Sequence, residues 1–415
     1  MIRKQIESWK DIYHEYPKTF WVLIVVSFID QLGGALLFPF FALYITARFN
    51  VGMVEVGILF ALFSISNFVG SMLGGALTDR FGRKQVVIFS LVATSISSVF
   101  MGLASELEVF YLIAVLSGIF SVGGPARQAM VADLLPEKKR AQGFGILRVS
   151  HNLSVAIGPA LGGLLLGITS YLSLFIIDAV ASITVALLFA IFIAETKPET
   201  DEAEEEESVS QSFGGYIHVM RDVLFMLFVA VCILMGLVYV NLNASLGVYL
   251  RDEFAVAEAG YGMLLSLNAL MVVLFQFAIT RRVENRQPML VMAAGMLLYT
   301  IGFGMYGFVS TTTMFILAMV ILTIGEMLIA PVSQALVATF SPEKMRGRYM
   351  AVFGISWMVP FAIGPYLAGL IMDNMDSRIL WYIVALVGIT ATFGFLWLHT
   401  KMKENKPIME LKATA

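Results

Sequence analysis

Charge is scarce in this chain. Asp, Glu, Lys and Arg make up 14% of its 415 residues, against 59% hydrophobic ones. A soluble domain carries roughly a quarter charged residues. With a mean hydropathy of +0.84, the composition excludes a soluble globular protein and leaves a polytopic membrane protein. Cysteine is nearly absent. The single Cys232 lies inside an apolar run, which rules out a disulfide framework and a cysteine-based metal centre. The four histidines, His14, His151, His218 and His399, are dispersed, and no metal is expected. No G-x-x-x-x-G-K-[ST] loop occurs, so nothing points to ATP as an energy source. Neither H-E-x-x-H nor G-x-S-x-G occurs, so a membrane-embedded hydrolase lacks its residues.

Long apolar runs are what the chain does have. A helix needs about 20 mainly apolar residues to cross a bilayer core. Runs of that kind lie near 20–46, 54–77, 84–104, 109–134, 142–168 and 171–194, then near 223–248, 260–280, 288–308, 313–339, 348–372 and 379–398. The expected fold is an all-α membrane protein of twelve transmembrane helices in two pseudo-symmetric six-helix bundles. Residues 1–194 form the N-terminal bundle, 195–221 an acidic cytoplasmic linker, 222–398 the C-terminal bundle and 399–415 a cytoplasmic tail. The run ETKPETDEAEEEESVSQS marks the linker as solvated. The first apolar run is too long for a signal-peptide core, so 1–19 reads as a retained cytoplasmic segment. With that end inside, 22 of the 27 Lys and Arg residues fall on inner segments. Outer loops hold only Arg48, Arg251 and Arg378. This is the asymmetry of a protein with both termini in the cytoplasm.

The two halves are copies. Residues 125–164 return 206 positions later as 331–370, without a gap and with 17 of 40 positions identical. In each copy an apolar run ends at Pro-Glu-Lys and a second one begins. A fixed-offset repeat means a duplicated architecture, and in a membrane chain it points to a transporter of two repeats.

Between runs 2 and 3 stands GALTDRFGRK, residues 75–84. It resembles the signature loop of the major facilitator superfamily, G-x-L-x-D-R-x-G-R-K, at every defining position. The resemblance covers the whole chain: twelve spans, two halves, a central linker and this loop. It implies the major facilitator fold and a cytoplasmic latch of Gly75, Asp79, Arg80, Gly82, Arg83, Lys84 and Asp133. Gly75 is expected to allow close helix approach and Gly82 a tight turn. Asp79 is expected to face a helix N-terminus of the other half, and Asp133 to pair with Arg83. In span 5, Gly145, Gly158, Pro159, Gly162 and Gly163 are similar to the antiporter motif of drug-exporting members. Ser154 stands where a further glycine is usual. Ordinary small-residue packing explains the same residues, and the echo Gly364-Pro365 in span 11 favours that explanation. The arginine usual in span 4 of drug–proton antiporters is here Ala114.

Ionisable residues inside the spans carry the functional reading, because a charge at mid-membrane costs at least ~2.5–3.5 kcal/mol. These residues are Asp30, Arg127, Arg148, His151, Asp178 and Glu326. At ~1.5 Å per residue, Asp30 reaches a depth from which either Arg127 or Arg148 can pair with it. Asp178 lies nearer the outer face, where a structural and a functional role are equally open. Glu326, in TIGEMLIAP, has no cation in the spans of its half. It is the expected proton-coupling residue, together with Asp30. A glutamate merely hydrogen-bonded to a neighbouring helix is the structural alternative. TIGEMLIAP also resembles span 10 of proton-driven multidrug exporters, where the corresponding glutamate is functional. Gln31, Arg127, Arg148, Asn152, Asn243, Asn268 and Glu326 are the expected substrate-cavity residues, although each neutral one could instead be interhelical glue.

The function expected is export of hydrophobic or cationic small molecules in exchange for protons, by alternating access. The alternative is a uniporter or proton-coupled symporter for a defined metabolite such as a sugar, peptide or lysolipid. A non-transporting membrane sensor would show no flux at all. The expected partners are a small-molecule substrate, protons and the lipid bilayer, with no nucleic acid and no cofactor. The expected form is a monomer in the plasma membrane, read as a bacterial inner membrane.

Overall fold

The protein is described by a computed structural model covering residues 15–197, 216–342 and 345–404. The acidic core of the linker, the C-terminal tail beyond 404 and the first 14 residues of the expected cytoplasmic segment lie outside the described residues. No strand occurs among the described residues.

Among the described residues, twelve helical spans are long and apolar enough to cross a membrane. They are span 1, Lys18–Phe49; span 2, Met53–Thr78; span 3, Arg83–Leu103; span 4, Leu107–Leu134; span 5, Gln142–Leu166; and span 6, Tyr171–Phe192. The second six are span 7, Val223–Ala244; span 8, Glu258–Val283; span 9, Pro288–Met305; span 10, Thr312–Phe340; span 11, Arg348–Asn374; and span 12, Arg378–Lys403. The shortest holds 18 residues, or roughly 27 Å of helix, close to the thickness of a hydrocarbon core. Every run that hydropathy picked out thus falls in a helical span, although spans 1, 4 and 7 are each built of more than one helical segment. Proline sets several starts: Pro17 and Pro136 stand just before a helix and Pro288 is a first residue, positions where a missing N–H costs nothing.

The chain clusters into two compact units. Unit 1 takes the chain up to Phe40 and resumes from Leu62 to the start of the linker. Its core gathers Phe20 and Leu23 of span 1, Val87 and Leu91 of span 3, Met130 and Val131 of span 4 and Phe189 of span 6. Buried serines hold these helices together where no water can satisfy a backbone: Ser95 Oγ donates to Ala179 O at 2.8 Å and Ser98 Oγ to Phe175 O at 3.0 Å.

Unit 2 comprises Phe41–Ala61 and the chain beyond the linker. Its core is aromatic. Phe228 stacks on Phe353 at 5.9 Å, and Tyr249, Phe303 and Tyr306 surround the fully buried Trp381. Span 7 continues beyond Ala244 as a separate helix, Leu246–Phe254.

Candidate functional site

Three polar clusters stand out against this apolar frame, two inside the spans and one at a loop.

The first is in unit 1. Arg127 Nη1 lies 2.5 Å from Asp30 Oδ2, with the two side chains 18% and 13% exposed. Of the two arginines within reach of Asp30, this contact belongs to Arg127. Its position follows from a break in span 4, where the helix Leu107–Phe120 ends and Gly123–Leu134 begins. Ser182 Oγ donates to the other carboxylate oxygen, Asp30 Oδ1, at 3.2 Å. Asp30 therefore joins spans 1, 4 and 6. Its charge is matched by a guanidinium, the compensation a buried carboxylate needs. At the next residue of the same helix, Gln31 Oε1 lies 2.6 Å from His151 Nδ1 on span 5. His151, Arg148 and Asn152 are all exposed on unit 1. Asp178 is buried, and a Cβ at Gly33 would lie 3.0 Å from its Oδ1.

The second cluster is in unit 2. Glu326 is half-buried at the middle of span 10. Asn268 Nδ2, from span 8, donates to its Oε2 at 2.8 Å, and Tyr239 OH, from span 7, to its Oε1 at 3.2 Å. Asn268 Nδ2 also donates to Thr323 Oγ1 at 3.0 Å. Both glutamate partners are neutral donors. Around them stand aromatic rings: Tyr239 stacks on Tyr299 at 6.0 Å and meets Trp357 edge-on at 5.5 Å. A carboxylate beside electron-rich rings attracts an organic cation. Asn243 is half-buried nearby in sequence, in the short helix Asn241–Ala244. Its neighbour Asn241 is the buried one, donating to Leu237 O at 2.8 Å and accepting from Ser245 Oγ at 3.0 Å. Asn241 thus serves its own helix.

The third cluster is the loop between spans 2 and 3. Gly82 has φ +91°, a conformation open to glycine and rare for other residues. Arg83 Nε lies 3.1 Å from Asp133 Oδ2 at the end of span 4. The loop's other anchor is Glu195, just past span 6. It accepts from Arg83 N at 2.8 Å and Lys84 N at 3.1 Å, and from its neighbours Thr196 N at 2.9 Å and Lys197 N at 3.0 Å. Thr196 Oγ1 also donates to Asp133 Oδ2, at 3.2 Å. Burial acts to raise the Glu195 carboxyl, but the four backbone donors outweigh it and hold it below the ordinary glutamate value. Lys84 Nζ donates to Ala190 O at 2.8 Å. Arg80 sits over the Phe81 ring at 5.3 Å. The side chain of Asp79 lies outside the described residues.

Two glycines do not do what their motifs suggested. A Cβ at Gly75 would meet nothing within 4 Å among the described residues. Span 2 approaches the backbone of span 4 through Gly74, where a Cβ would lie 2.5 Å from Val122 O, and through Gly70 a turn earlier. Gly75 is one residue on, turned by about 100° to another face. Gly145 likewise has open space around it, whereas Gly158 and Gly162 press against Ala35 and Leu36 of span 1. Pro159 lies within the uninterrupted helix Glu137–Leu166, and Gly163 is buried.

Sequence reasoning missed Tyr239, Trp357, Ser182 and Glu195. Tyr239 and Trp357 look like any aromatic in an apolar run. Glu195 is the first acid after span 6, but nothing in its spacing ties it to the loop 112 residues earlier.

The comparisons with known proteins agree with this frame. The family model described as Major Facilitator Superfamily matches residues 23–246 and 233–413. A protein of Planococcus maritimus named Na(+), Li(+), K(+)/H(+) antiporter is 27% identical, over 92% of this chain and 92% of its own. Multidrug resistance protein MdtH of Shigella flexneri is 23% identical, over 94% and 96%. Among solved structures, the nucleoside transporter NupG superposes with a TM-score of 0.77 at 13% identity, covering 92% of this chain and 99% of that one. At that identity the likeness speaks for the fold alone.

Proposed function

The chain belongs to the Major Facilitator Superfamily and is a secondary transporter; on that premise we propose that it exports hydrophobic or cationic small molecules in exchange for protons, by alternating access. The observation that carries this reading is Glu326, an acid at mid-span whose two hydrogen-bond partners, Asn268 and Tyr239, are neutral. A carboxylate placed in a membrane without a cation is costly unless a proton or a cationic ligand compensates it. The two occupants compete, and competition for one acid is what exchange requires. Tyr239, Tyr299 and Trp357 add the aromatic faces that favour an organic cation over water. The relative named as a multidrug resistance protein supports the same class.

In this reading the halves 1–194 and 222–398 rock about a midplane site. The proton gradient supplies the energy and no cofactor takes part. The protein works as a monomer in the plasma membrane with both termini cytoplasmic.

The test is efflux of a lipophilic cationic dye from vesicles under an imposed pH gradient, in both directions. Flux that follows the gradient supports the reading. A gradient-independent, saturable flux of an uncharged or anionic metabolite would support the alternative carrier, which the exposed Arg148 and His151 favour. The Planococcus relative supplies a further arm: Na⁺, Li⁺ or K⁺ in place of the dye, with proton release as readout.

A further inference from the structure

Span 2 starts without a cap of its own. The residue before its helix Met53–Phe81 is Gly52, which has no side chain to offer the orphan amides of a first turn. Two of those amides are satisfied from 320 residues away. Asp373, at the far end of span 11, accepts from Met53 N through Oδ1 at 2.8 Å and from Val54 N through Oδ2 at 2.7 Å. A carboxylate at a helix N-terminus is held both by hydrogen bonds and by the positive end of the helix dipole, and short bonds of this type are the strong ones.

The packing around the contact leaves no slack. A Cβ at Gly57 would lie on the backbone of Pro365 and Tyr366, and a Cβ at Gly369 on the backbone of Met53. A Cβ at Gly52 would collide with the Asp373 carboxylate itself. Span 1 is held to the same unit in the same way. Arg251 Nη1 donates to Thr46 Oγ1 at 3.0 Å and to Leu43 O at 3.3 Å, and Leu43 Cδ1 is a near neighbour of Gly247 beyond span 7. These contacts explain why Phe41–Ala61 belongs to unit 2 while the chain from Leu62 belongs to unit 1. The helix Met53–Phe81 passes that boundary without interruption.

We propose that Asp373 is a latch for the transport cycle: it fastens the end of span 2 remote from the Gly75–Lys84 loop, and it lets go once per turnover. The proposal rests on the alternating-access reading above. A continuous helix cannot remain in unit 1 along most of its length and stay fastened to unit 2 through a rearrangement between states. The joint that yields is the one made by side-chain contacts, with the Asp373 carboxylate the one that caps span 2, rather than by a helix's internal hydrogen bonds. Asp373 is a positioning residue: it acts through span 2 and touches no substrate.

The chain's one cysteine makes the test direct. In a Cys232→Ser background, Leu43→Cys puts a thiol where a 1% exposed side chain now faces Gly247. A membrane-impermeant maleimide is added from outside, without substrate or pH gradient. With Asp373 in place labelling is slow; with Asp373→Asn it rises on the order of tenfold, the scale of losing a charge-assisted bond pair. Asp373→Glu restores slow labelling. If Asp373→Asn does not reach the membrane, Asp373→Ser, a neutral cap, gives an intermediate rate. Equal rates in Asp373 and its neutral variants overturn the latch, as does failure of Asp373→Glu to slow labelling. Because the readout needs no transport, vesicle assays that still show proton exchange would leave the proposed function standing while the latch falls.

Discussion

Glu326 and Asp30 are both acids at mid-span, and their surroundings make them different tools. Asp30 holds Arg127 at 2.5 Å and a serine hydroxyl at 3.2 Å. Removing one partner leaves the other charged and unpaired in an apolar setting. Arg127→Met should therefore destabilise the protein by about 3–5 kcal/mol, read as a lower midpoint of thermal unfolding in detergent. Asp30→Asn combined with Arg127→Met should recover much of that loss, and a double variant as unstable as the single one would show that the pair is not the cause. Among the described residues Glu326 makes no such pair, so Glu326→Gln preserves volume and one acceptor oxygen and should cost under about 1.5 kcal/mol of stability. Its effect belongs to transport. Glu326→Gln should abolish dye efflux driven by a pH gradient while expression stays normal. Wild-type efflux in that variant would remove Glu326 from the coupling step.

The loop between spans 2 and 3 joins three helices through short-range chemistry. Gly82 turns the chain at φ +91°, and Glu195 collects four backbone amides around it. Gly82→Ala meets both the backbone conformation and the Glu195 carboxylate, so it should destabilise by more than the ~1 kcal/mol usual for a left-handed site. The Glu195 carboxyl sits below its ordinary value. Its contribution to stability is therefore present above the unfolded value of about 4.3 and is lost as the pH falls through the lower folded value. Unfolding followed from pH 6 to pH 3 should show a steeper acid limb in the wild type than in Glu195→Gln; parallel limbs would refute it. This element also shows how far the sequence could be read. Arg83 stands in a recognisable string and Asp133 at the end of span 4, and the expected pair is found 3.1 Å apart. Glu195 closes the loop from 112 residues away in sequence, and no spacing rule announces it. The spans were legible because hydropathy fixes them. Which face of a span meets a neighbour was not, as Gly75 shows: a motif glycine in open space, with Gly74 beside it making the contact.

At the scale of the molecule, a duplicated scaffold carries chemistry that is not duplicated. The repeat at 206 residues gives spans 4–5 and 10–11 the same Pro-Glu-Lys junction and the same Gly-Pro pair, and that symmetry was plain in the sequence. The charged side chains broke it. The first copy holds Arg127 and Arg148, where the second has Ser333 and Gly354; the second half has Glu326, where the first has Phe120. Such a division separates two jobs that a symmetric pair of halves would share. In unit 1 an ion pair and a loop cluster fix helices to one another, and in unit 2 an acid has neutral partners, the arrangement on which the proposed exchange of its occupant rests. The consequence is a dissociation between coupling and translocation. Substrate counterflow, in which labelled substrate exchanges for unlabelled without any gradient, asks only for alternating access. Glu326→Gln should keep counterflow for a neutral analogue of the dye and lose all response to the pH gradient. Asp79→Asn, at the loop, should do the reverse, slowing counterflow turnover while dye affinity and the sign of the pH response remain. If both variants lose the same fraction of both activities, the two halves are not specialised and the asymmetry in the sequence has no functional meaning.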